Sequence, residues 1–141
     1  HTRADLVNLK RFAGDKRREP LFAAKLARLE IDLMALKYAV LRVIHAEGGS
    51  QDAVASVLKL RGAELRQRVA ELGVEALGNA GLAVNPDPAG HDAIDHPAPR
   101  PPVPAHADGW LARAMFRRAT TIYGGSNEIQ RNIIAKAVLG L

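Results

Sequence analysis

Residues 20–45, PLFAAKLARLEIDLMALKYAVLRVIH, form the stretch that decides the fold. Apolar residues recur along it at alternating intervals of four and three, the spacing of a helix that packs one face against other helices. Pro20 suits the first turn of a helix, and the pair Gly48-Gly49 ends it. A helix of this length is about 40 Å long, which is typical of helical bundles. The predicted seam consists of Phe22, Leu26, Leu29, Leu33, Leu36, Val40 and Val43.

The remaining helices are predicted from the same periodicity. Residues 3–14 are typical of the end of one helix, and Ser50 is a good N-cap for a second long helix that ends near Gly78. Residues 110–121 are helical by pattern, and a last helix ends at Gly140. The apolar positions are Val54, Val57, Leu58, Leu65, Val69, Leu72, Ala76 and Leu77, then Trp110, Leu111, Ala114 and Met115, and finally Ile129, Ile133, Ile134, Val138 and Leu139.

The pattern as a whole predicts an all-α fold. We expect one domain, residues 1–141, built as an antiparallel up-and-down four-helix bundle with long helices. Residues 84–108 interrupt the helices as a Pro-rich loop, because their proline density excludes a helix. The histidines His91, His96 and His106 in this loop lack a rigid element and thiolate partners, so we predict no metal site.

Composition excludes several classes of site. The chain has no cysteine, which rules out disulfides, thiolate metal ligands and a cysteine nucleophile and fits a reducing cytoplasm. No apolar run is long enough to span a membrane, and we expect a cytoplasmic protein. The net charge of +5 is spread along helices with acidic residues interleaved. We therefore expect a solvated helix surface. A basic nucleic-acid binder is a hypothesis that rests on charge alone, without a helix-turn-helix spacing to support it.

A polar turn separates the last two helices. Residues 122–131, IYGGSNEIQR, contain two glycines that permit positive φ and let backbone N–H groups approach a ligand. Ser126 or Gly125 would be the N-cap of the next helix, whose free N–H groups favour an anion. Residues on both sides of the turn are apolar, and a plain interhelical turn with a serine cap is the simpler interpretation.

Three segments resemble one known family. IYGGSNEIQRNIIAKAVLGL is similar to the C-terminal signature of acyl-CoA dehydrogenases, ASVLKLRGAELRQRVAELGVEALGNAGL to their penultimate long helix with its glycine turn, and LFAAKLARLEIDLMALKYAVLRVI to the first helix of their C-terminal bundle. The resemblance covers most of the chain. Family members are much longer, with an all-α N-terminal domain and a central β-domain that are absent from this chain, so we expect a fragment of a longer protein.

The resemblance implies a site for FAD and an acyl-CoA thioester. By position in the family, the turn Gly78, Asn79 and Gly81 reaches the FAD pyrophosphate of a neighbouring subunit. The N–H of Gly124 hydrogen-bonds the thioester carbonyl as an oxyanion-hole donor does, and Tyr123 lines the acyl pocket. The residues beside the ADP part of FAD are Gly125, Ser126, Asn127 and Glu128.

The sequence departs from the family at the catalytic position. Many members carry the glutamate base where this chain has Gly124, which has no proton acceptor. The catalytic base is therefore unknown: Glu128 faces the cofactor by family position, and nothing selects Asp5, the carboxylate near the start. Some members place the glutamate on an earlier helix of the bundle.

Further departures affect the contact with the neighbouring subunit. Glu75 replaces a usual glutamine and Asn79 a usual glycine, and a carboxylate near a pyrophosphate repels it. RFAGDKRREP, residues 11–20, lacks the arginine and Phe-Gly pair with which many members hold the neighbour's FAD.

These observations lead to two functional hypotheses. The first is the C-terminal domain of an FAD-dependent acyl-CoA dehydrogenase, inactive as this chain alone, which assembles with like or related subunits as a homo- or hetero-tetramer and passes electrons to electron-transfer flavoprotein. The second is a non-catalytic helical partner subunit or assembly module that has lost the base.

Overall fold

The computed structural model describes residues 2–45, 51–82 and 109–140. The helices are α1 (Thr2–Phe12), α2 (Pro20–His45), α3 (Gln51–Leu77), α4 (Trp110–Arg117) and α5 (Asn127–Leu139). Short 3₁₀ turns, Gly14–Arg18, Gly78–Leu82 and Arg118–Thr121, follow α1, α3 and α4. The predicted all-α fold and the bounds of α2 are confirmed. The expected N-cap Ser50, the Pro-rich loop and its three histidines lie outside the described residues.

The helices alternate in direction, as the pairs between them show. Between α2 and α3, Lys25 forms a salt bridge with Glu75 and Asp32 forms one with Arg68. The residue numbers rise on α2 while they fall on α3, so these helices are antiparallel. On α3 and α5, Lys59 bonds Asn127 while Glu64 lies 3.8 Å from Arg131, so these two run in parallel. The five helices of the described part thus form an up-and-down bundle, in which α4 has only two turns.

Helix α3 lies at the centre of the bundle, because each of the other four helices packs on it. Its Leu65 and Val69 are almost completely buried. The core cluster around them consists of apolar side chains, most of which α1, α2 and α3 contribute. The core cluster comprises Leu6, Leu9, Ala13, Phe22, Leu26, Leu29, Leu65, Val69 and Leu72.

The predicted apolar seams are only partly buried. On α2 the first half is buried as expected, whereas Val40 is 38% exposed. On α3 Val54 and Val57 are exposed, and on α5 the same is true of Ile129 and Val138. Periodicity correctly identified these positions as one face of a helix, but it could not say whether the described chain covers that face.

Trp110 fixes the position of α4 on α3. Its indole N–H donates to the carbonyl of Ala70 at 2.9 Å, and its ring packs edge-on against Phe12. Gly73 leaves room for the ring, since a Cβ built there would lie 1.8 Å from the indole nitrogen. No larger residue fits at this position without displacing α4.

None of the helices within residues 2–45, 51–82 and 109–140 combines the length and apolar character needed to cross a bilayer.

Replacing the two glycines of α3 separately tests this packing. Gly73→Ala should lower the free energy of unfolding by about 1–3 kcal/mol, because the new methyl group overlaps the Trp110 ring. Gly62→Ala is the matched control: its Cβ would lie 3.9 Å from Leu36, and alanine should raise the free energy of unfolding by about 0.5–1 kcal/mol. Urea denaturation followed by circular dichroism measures both, and equal effects would contradict the close fit of Trp110.

Candidate functional site

The turn between α4 and α5 has the backbone that its glycines permit. Gly124 and Gly125 have φ values of 70° and 87°, in the left-handed region that other residues rarely adopt. The N–H groups of Ile122 and Tyr123 both donate to the carbonyl of Ala119. The described hydrogen bonds leave the N–H of Gly124 without an acceptor. The turn therefore presents a backbone donor at the position where the sequence predicted one.

Ser126, one of the two predicted candidates, is the N-cap of α5. Its Oγ accepts a hydrogen bond from the N–H of Ile129 at 3.4 Å. The next residue but one, Glu128, is exposed, and hydrogen bonding from its own backbone N–H and from Ser126 favours the ionised form of its carboxylate. These two bonds, with Arg131 nearby, hold the pKa of Glu128 below its usual range. Glu128 is thus a stable carboxylate and a hydrogen-bond acceptor.

Side chains from two helices fix the carbonyls of the turn. The Lys59 ammonium group on α3 donates to the carbonyl of Gly125 and, at 3.3 Å, to Oδ1 of Asn127. Nε2 of Gln130 on α5 donates to the carbonyl of Gly124 at 3.4 Å. Gln130 closes over Gly125 so tightly that a Cβ there would lie 2.5 Å from its amide nitrogen. Both peptide planes are therefore held from outside the turn.

A cavity of about 430 Å³ lies beside this turn. Tyr123 and Gly124 form one of its walls, and α2 and α3 supply the apolar side chains of the others. Its two cationic groups are Lys59 and Arg66, of which Arg66 also donates to the Thr2 hydroxyl. A mostly apolar concavity with a few fixed polar groups is the usual form of a small-molecule site. The apolar lining consists of Leu36, Val40, Leu58 and Ala63.

The second predicted turn, Gly78–Leu82, ends α3. Gly78 has a φ of 56° and open space around it. Gly81 is buried, and a Cβ there would lie 2.7 Å from the carbonyl oxygen of Val74. Both positions therefore need glycine, one for its φ and the other for close packing, while Asn79 lies exposed between them.

The carboxylate of Glu75 beside this turn is paired. The Lys25 ammonium group lies 2.9 and 2.8 Å from its two oxygens, and Lys16 donates to the Glu75 backbone carbonyl at 2.7 Å. From the sequence alone, the carboxylate of Glu75 is expected to repel a pyrophosphate at this turn. The two lysines around it offset that charge locally.

The two turns lie far apart. Lys59, which holds the first, and Gly78, which begins the second, are separated by about 28 Å along α3. The fold thus brings Tyr123 to Glu128 together at one end of α3, and places Gly78, Asn79 and Gly81 at the other.

The carboxylate of Asp5 is held by hydrogen bonds from two arginines of α4. It accepts hydrogen bonds from Arg113 at 3.3 Å and from Arg117 at 3.2 Å, and its side chain is 17% exposed. Arg113 also lies over the Trp110 ring. Asp5 therefore joins α1 to α4.

Sequence reasoning missed the α3 side of the cavity. Lys59, Gly62, Ala63 and Arg66 recur at the spacing of one helix face, and the structure brings all four to the cavity. A helix face that combines two basic residues with a glycine was the available signal. From the sequence alone this face is indistinguishable from a solvated surface, because the sequence does not show which face of α3 meets α5.

Removing the cap tests the local electrostatics. Ser126→Ala should lower the free energy of unfolding by about 1 kcal/mol, the usual value for a lost cap. It should also raise the pKa of Glu128 toward its ordinary value, because one of the two bonds to the carboxylate is lost. Because the pKa of Glu128 is lowered in the folded state, its carboxylate stabilises the fold at pH values above the unfolded-state pKa. This contribution is lost as the pH falls through the folded-state pKa. NMR titration of Glu128 and urea denaturation measure both effects, with Thr121→Ala as the hydroxyl control.

Replacing Lys59 tests whether its ammonium group fixes the conformation of the turn between α4 and α5. Lys59→Met should shift the amide resonances of Gly124, Gly125 and Ser126 and lower the free energy of unfolding by about 1–3 kcal/mol, because a carbonyl loses its charged donor. Lys136→Met, an exposed lysine on α5, is the control and should leave those resonances in place. Unchanged amide spectra in the Lys59 variant would contradict the anchoring.

Comparison with known proteins gives one consistent family. The family model described as acyl-CoA dehydrogenase, C-terminal domain, matches residues 2–139. Two curated proteins named acyl-CoA dehydrogenase IpdE1, from Mycobacterium tuberculosis and Mycolicibacterium smegmatis, are each 34% identical over 123 residues, or 87% of this chain. The chain spans 27% and 26% of their respective lengths. No solved structure matches the chain.

The family model covers almost the whole chain, and the matched region includes both glycine turns and the helices that hold them. The chain therefore belongs to the acyl-CoA dehydrogenase family, as its C-terminal domain.

Proposed function

We propose that this chain is the C-terminal domain of an FAD-dependent acyl-CoA dehydrogenase, which desaturates an acyl-CoA thioester between its α and β carbons. The observation that carries the proposal is the turn at Gly124. There a backbone donor without an acceptor among the described residues borders an apolar cavity of about 430 Å³. The rest of the proposal assigns the residues around this turn.

The thioester contact is assigned to Gly124. Its N–H would donate to the thioester carbonyl oxygen and stabilise the negative charge that develops there as the α-proton leaves. Lys59 and Gln130 hold the two peptide planes that follow this donor, and the bond from the Tyr123 N–H to the carbonyl of Ala119 holds the plane before it, so the chain on both sides of the donor is fixed before the substrate binds. Tyr123 would contact the acyl chain, which suits the apolar lining of the cavity.

The start of α5 would lie beside the ADP part of FAD. Gly125, Ser126 and Asn127 stand at the N-terminus of α5, where helix N–H groups favour anions. The ionised Glu128 would repel a phosphate, and it suits a ribose hydroxyl as an acceptor. When bound, the flavin supplies the acceptor for the β-hydride.

The other turn would contact the FAD of a neighbouring subunit. Gly78, Asn79 and Gly81 lie about 28 Å along α3 from Lys59, too far for both turns to hold the same phosphates. The pairing of Glu75 with Lys25 supports a pyrophosphate contact here, because it offsets the carboxylate that would oppose one.

The base that removes the α-proton is not assigned within this chain. Gly124 has no side chain, and Asp5 is already bonded to two arginines. We propose that the base comes from another segment of the whole protein or from a related subunit. The whole protein would contain the N-terminal α-domain and central β-domain of the family, act in the cytoplasm as a homo- or hetero-tetramer, and reduce electron-transfer flavoprotein.

The alternative is a non-catalytic partner subunit in the same assembly. The missing base at Gly124 favours it, since a subunit that only completes an interface needs no proton acceptor. The anchored turn favours the enzyme, because an assembly role does not require a free donor beside a cavity.

Flavin spectroscopy on the full-length protein distinguishes the two. The enzyme should contain FAD, and anaerobic addition of acyl-CoA thioesters should bleach the visible flavin absorbance in proportion to the 2-enoyl-CoA formed. A colourless full-length protein that takes up no FAD and leaves acyl-CoA unchanged would contradict the enzyme and leave the partner subunit.

Placing a carboxylate at position 124 tests the local site. In a protein with little activity, Gly124→Glu should increase the rate of flavin bleaching by acyl-CoA, because it supplies a base beside the cavity. Gly124→Gln has the same size and the same backbone strain at a φ of 70° but no base, and it should give no increase. Equal rates in both variants would mean that the rest of the site is not arranged for catalysis.

A further inference from the structure

The cavity beside Gly124 carries an unbalanced positive charge. The described residues that line it include two cations, Lys59 and Arg66, and no carboxylate. Three other cavities in the described part of the chain each have an aspartate or glutamate beside their basic side chains. An unpaired charge in an apolar cavity is costly, so an anion that enters here is bound more strongly than at a solvated lysine or arginine.

The two cations differ in what they already bind. The Lys59 ammonium group donates to the carbonyl of Gly125 and to Oδ1 of Asn127, and both bonds serve the turn. Arg66 is half-buried, and its described hydrogen bond, to the Thr2 hydroxyl at 3.3 Å, uses Nε alone. The two terminal nitrogens of the Arg66 guanidinium group therefore remain as donors for a ligand.

Arg66 also differs from the arginines in comparable surroundings. Within residues 2–45, 51–82 and 109–140, three arginines are half-buried. Arg68 is bonded to the carboxylate of Asp32, and Arg117 to that of Asp5. Arg66 forms no salt bridge with a described residue. The fold thus supplies a carboxylate to the other two arginines and leaves the one in the cavity for a ligand to pair with.

We propose that Arg66 binds a carboxylate at the far end of the acyl chain, so that the substrate is an acyl-CoA thioester with a second, terminal acid group. This inference rests on the proposed function and adds the substrate class to it. The planar guanidinium group matches a carboxylate with two parallel N–H···O bonds, a geometry that an ammonium group lacks. Arg66 is thereby a specificity-determining residue that lies away from the reacting carbons.

The dimensions of the cavity suit such a chain. Lys59, beside the thioester end, and Arg66 are seven residues apart on one face of α3, or about 10 Å. The five carbon–carbon bonds of an extended six-carbon chain span about 6 Å, and a hydrogen bond to the guanidinium group adds about 3 Å. The walls between the two ends are apolar and would cover the methylene groups. They include Leu36, Val40 and Leu58.

Two thioesters of equal length test the assignment in the full-length flavoprotein. Adipoyl-CoA and hexanoyl-CoA both have six-carbon acyl chains, and only adipoyl-CoA ends in a carboxylate. Anaerobic flavin bleaching should give a kcat/KM about 10- to 100-fold higher for adipoyl-CoA, the usual value of a hydrogen bond between charged groups. Arg66→Met should abolish this preference and leave the rate with hexanoyl-CoA largely unchanged.

Two further variants separate the carboxylate contact from general effects on the fold. Arg61→Met replaces an exposed arginine of the same helix that lies outside the cavity, and it should keep the full preference. Arg66→Lys keeps the charge without the planar fork and should retain part of it. Circular dichroism and the flavin content show that each variant is folded and loaded.

Equal kcat/KM values for the two thioesters, or a preference that survives in Arg66→Met, would overturn the inference and leave the proposed dehydrogenase in place. A full-length protein without flavin that neither thioester affects would contradict the dehydrogenase instead. Calorimetric titration then decides the inference separately, because it needs no turnover. Tighter binding of adipoyl-CoA than of hexanoyl-CoA, lost in Arg66→Met, would support the carboxylate site, and equal affinities would overturn it.

Discussion

The burial of one face of α3 is the constraint on which the rest of the structure depends. Leu65, Val69 and Leu72 form the apolar strip against which α1 and α2 close the core. Because every other helix packs on α3, the position of each functional group is set by its height along this one helix. Removing apolar area here would therefore disturb the core and both glycine turns together.

Charged pairs fix the outer helices around that core. Arg68 bonds Asp32 at 2.7 Å across α2 and α3, and Glu71 bonds Arg118 at 2.6 Å beyond α4. Pairs between exposed side chains contribute little to stability, so their effect is mainly to define how the helices are aligned. The salt bridge between Asp5 and Arg117, whose side chains are mostly buried, aligns α1 with α4 in the same way. A carboxylate used in this way is unavailable as a base.

The same alignment explains how a short turn acquires a defined geometry. Gly124 and Gly125 would be mobile in an isolated peptide, since glycine has the widest choice of backbone conformations. Lys59 reaches them from α3, 66 residues away in sequence, and Gln130 from α5. A backbone donor in a turn that two helices hold suits transition-state stabilisation better than one on a free loop, because the turn needs less reorganisation when the substrate binds.

The sequence by itself determined the helices, the end of α5 at Gly140 and the family, because helical periodicity, glycine chemistry and the C-terminal signature are local in the chain. It also predicted the donor at Gly124 and the absence of a base there. Only the tertiary structure decided that Lys59 and Arg66 line the cavity, that Lys25 offsets Glu75, and that the described residues leave Ile31 and Tyr38 of α2 exposed. These depend on which helix faces meet, and packing between residues distant in sequence decides that.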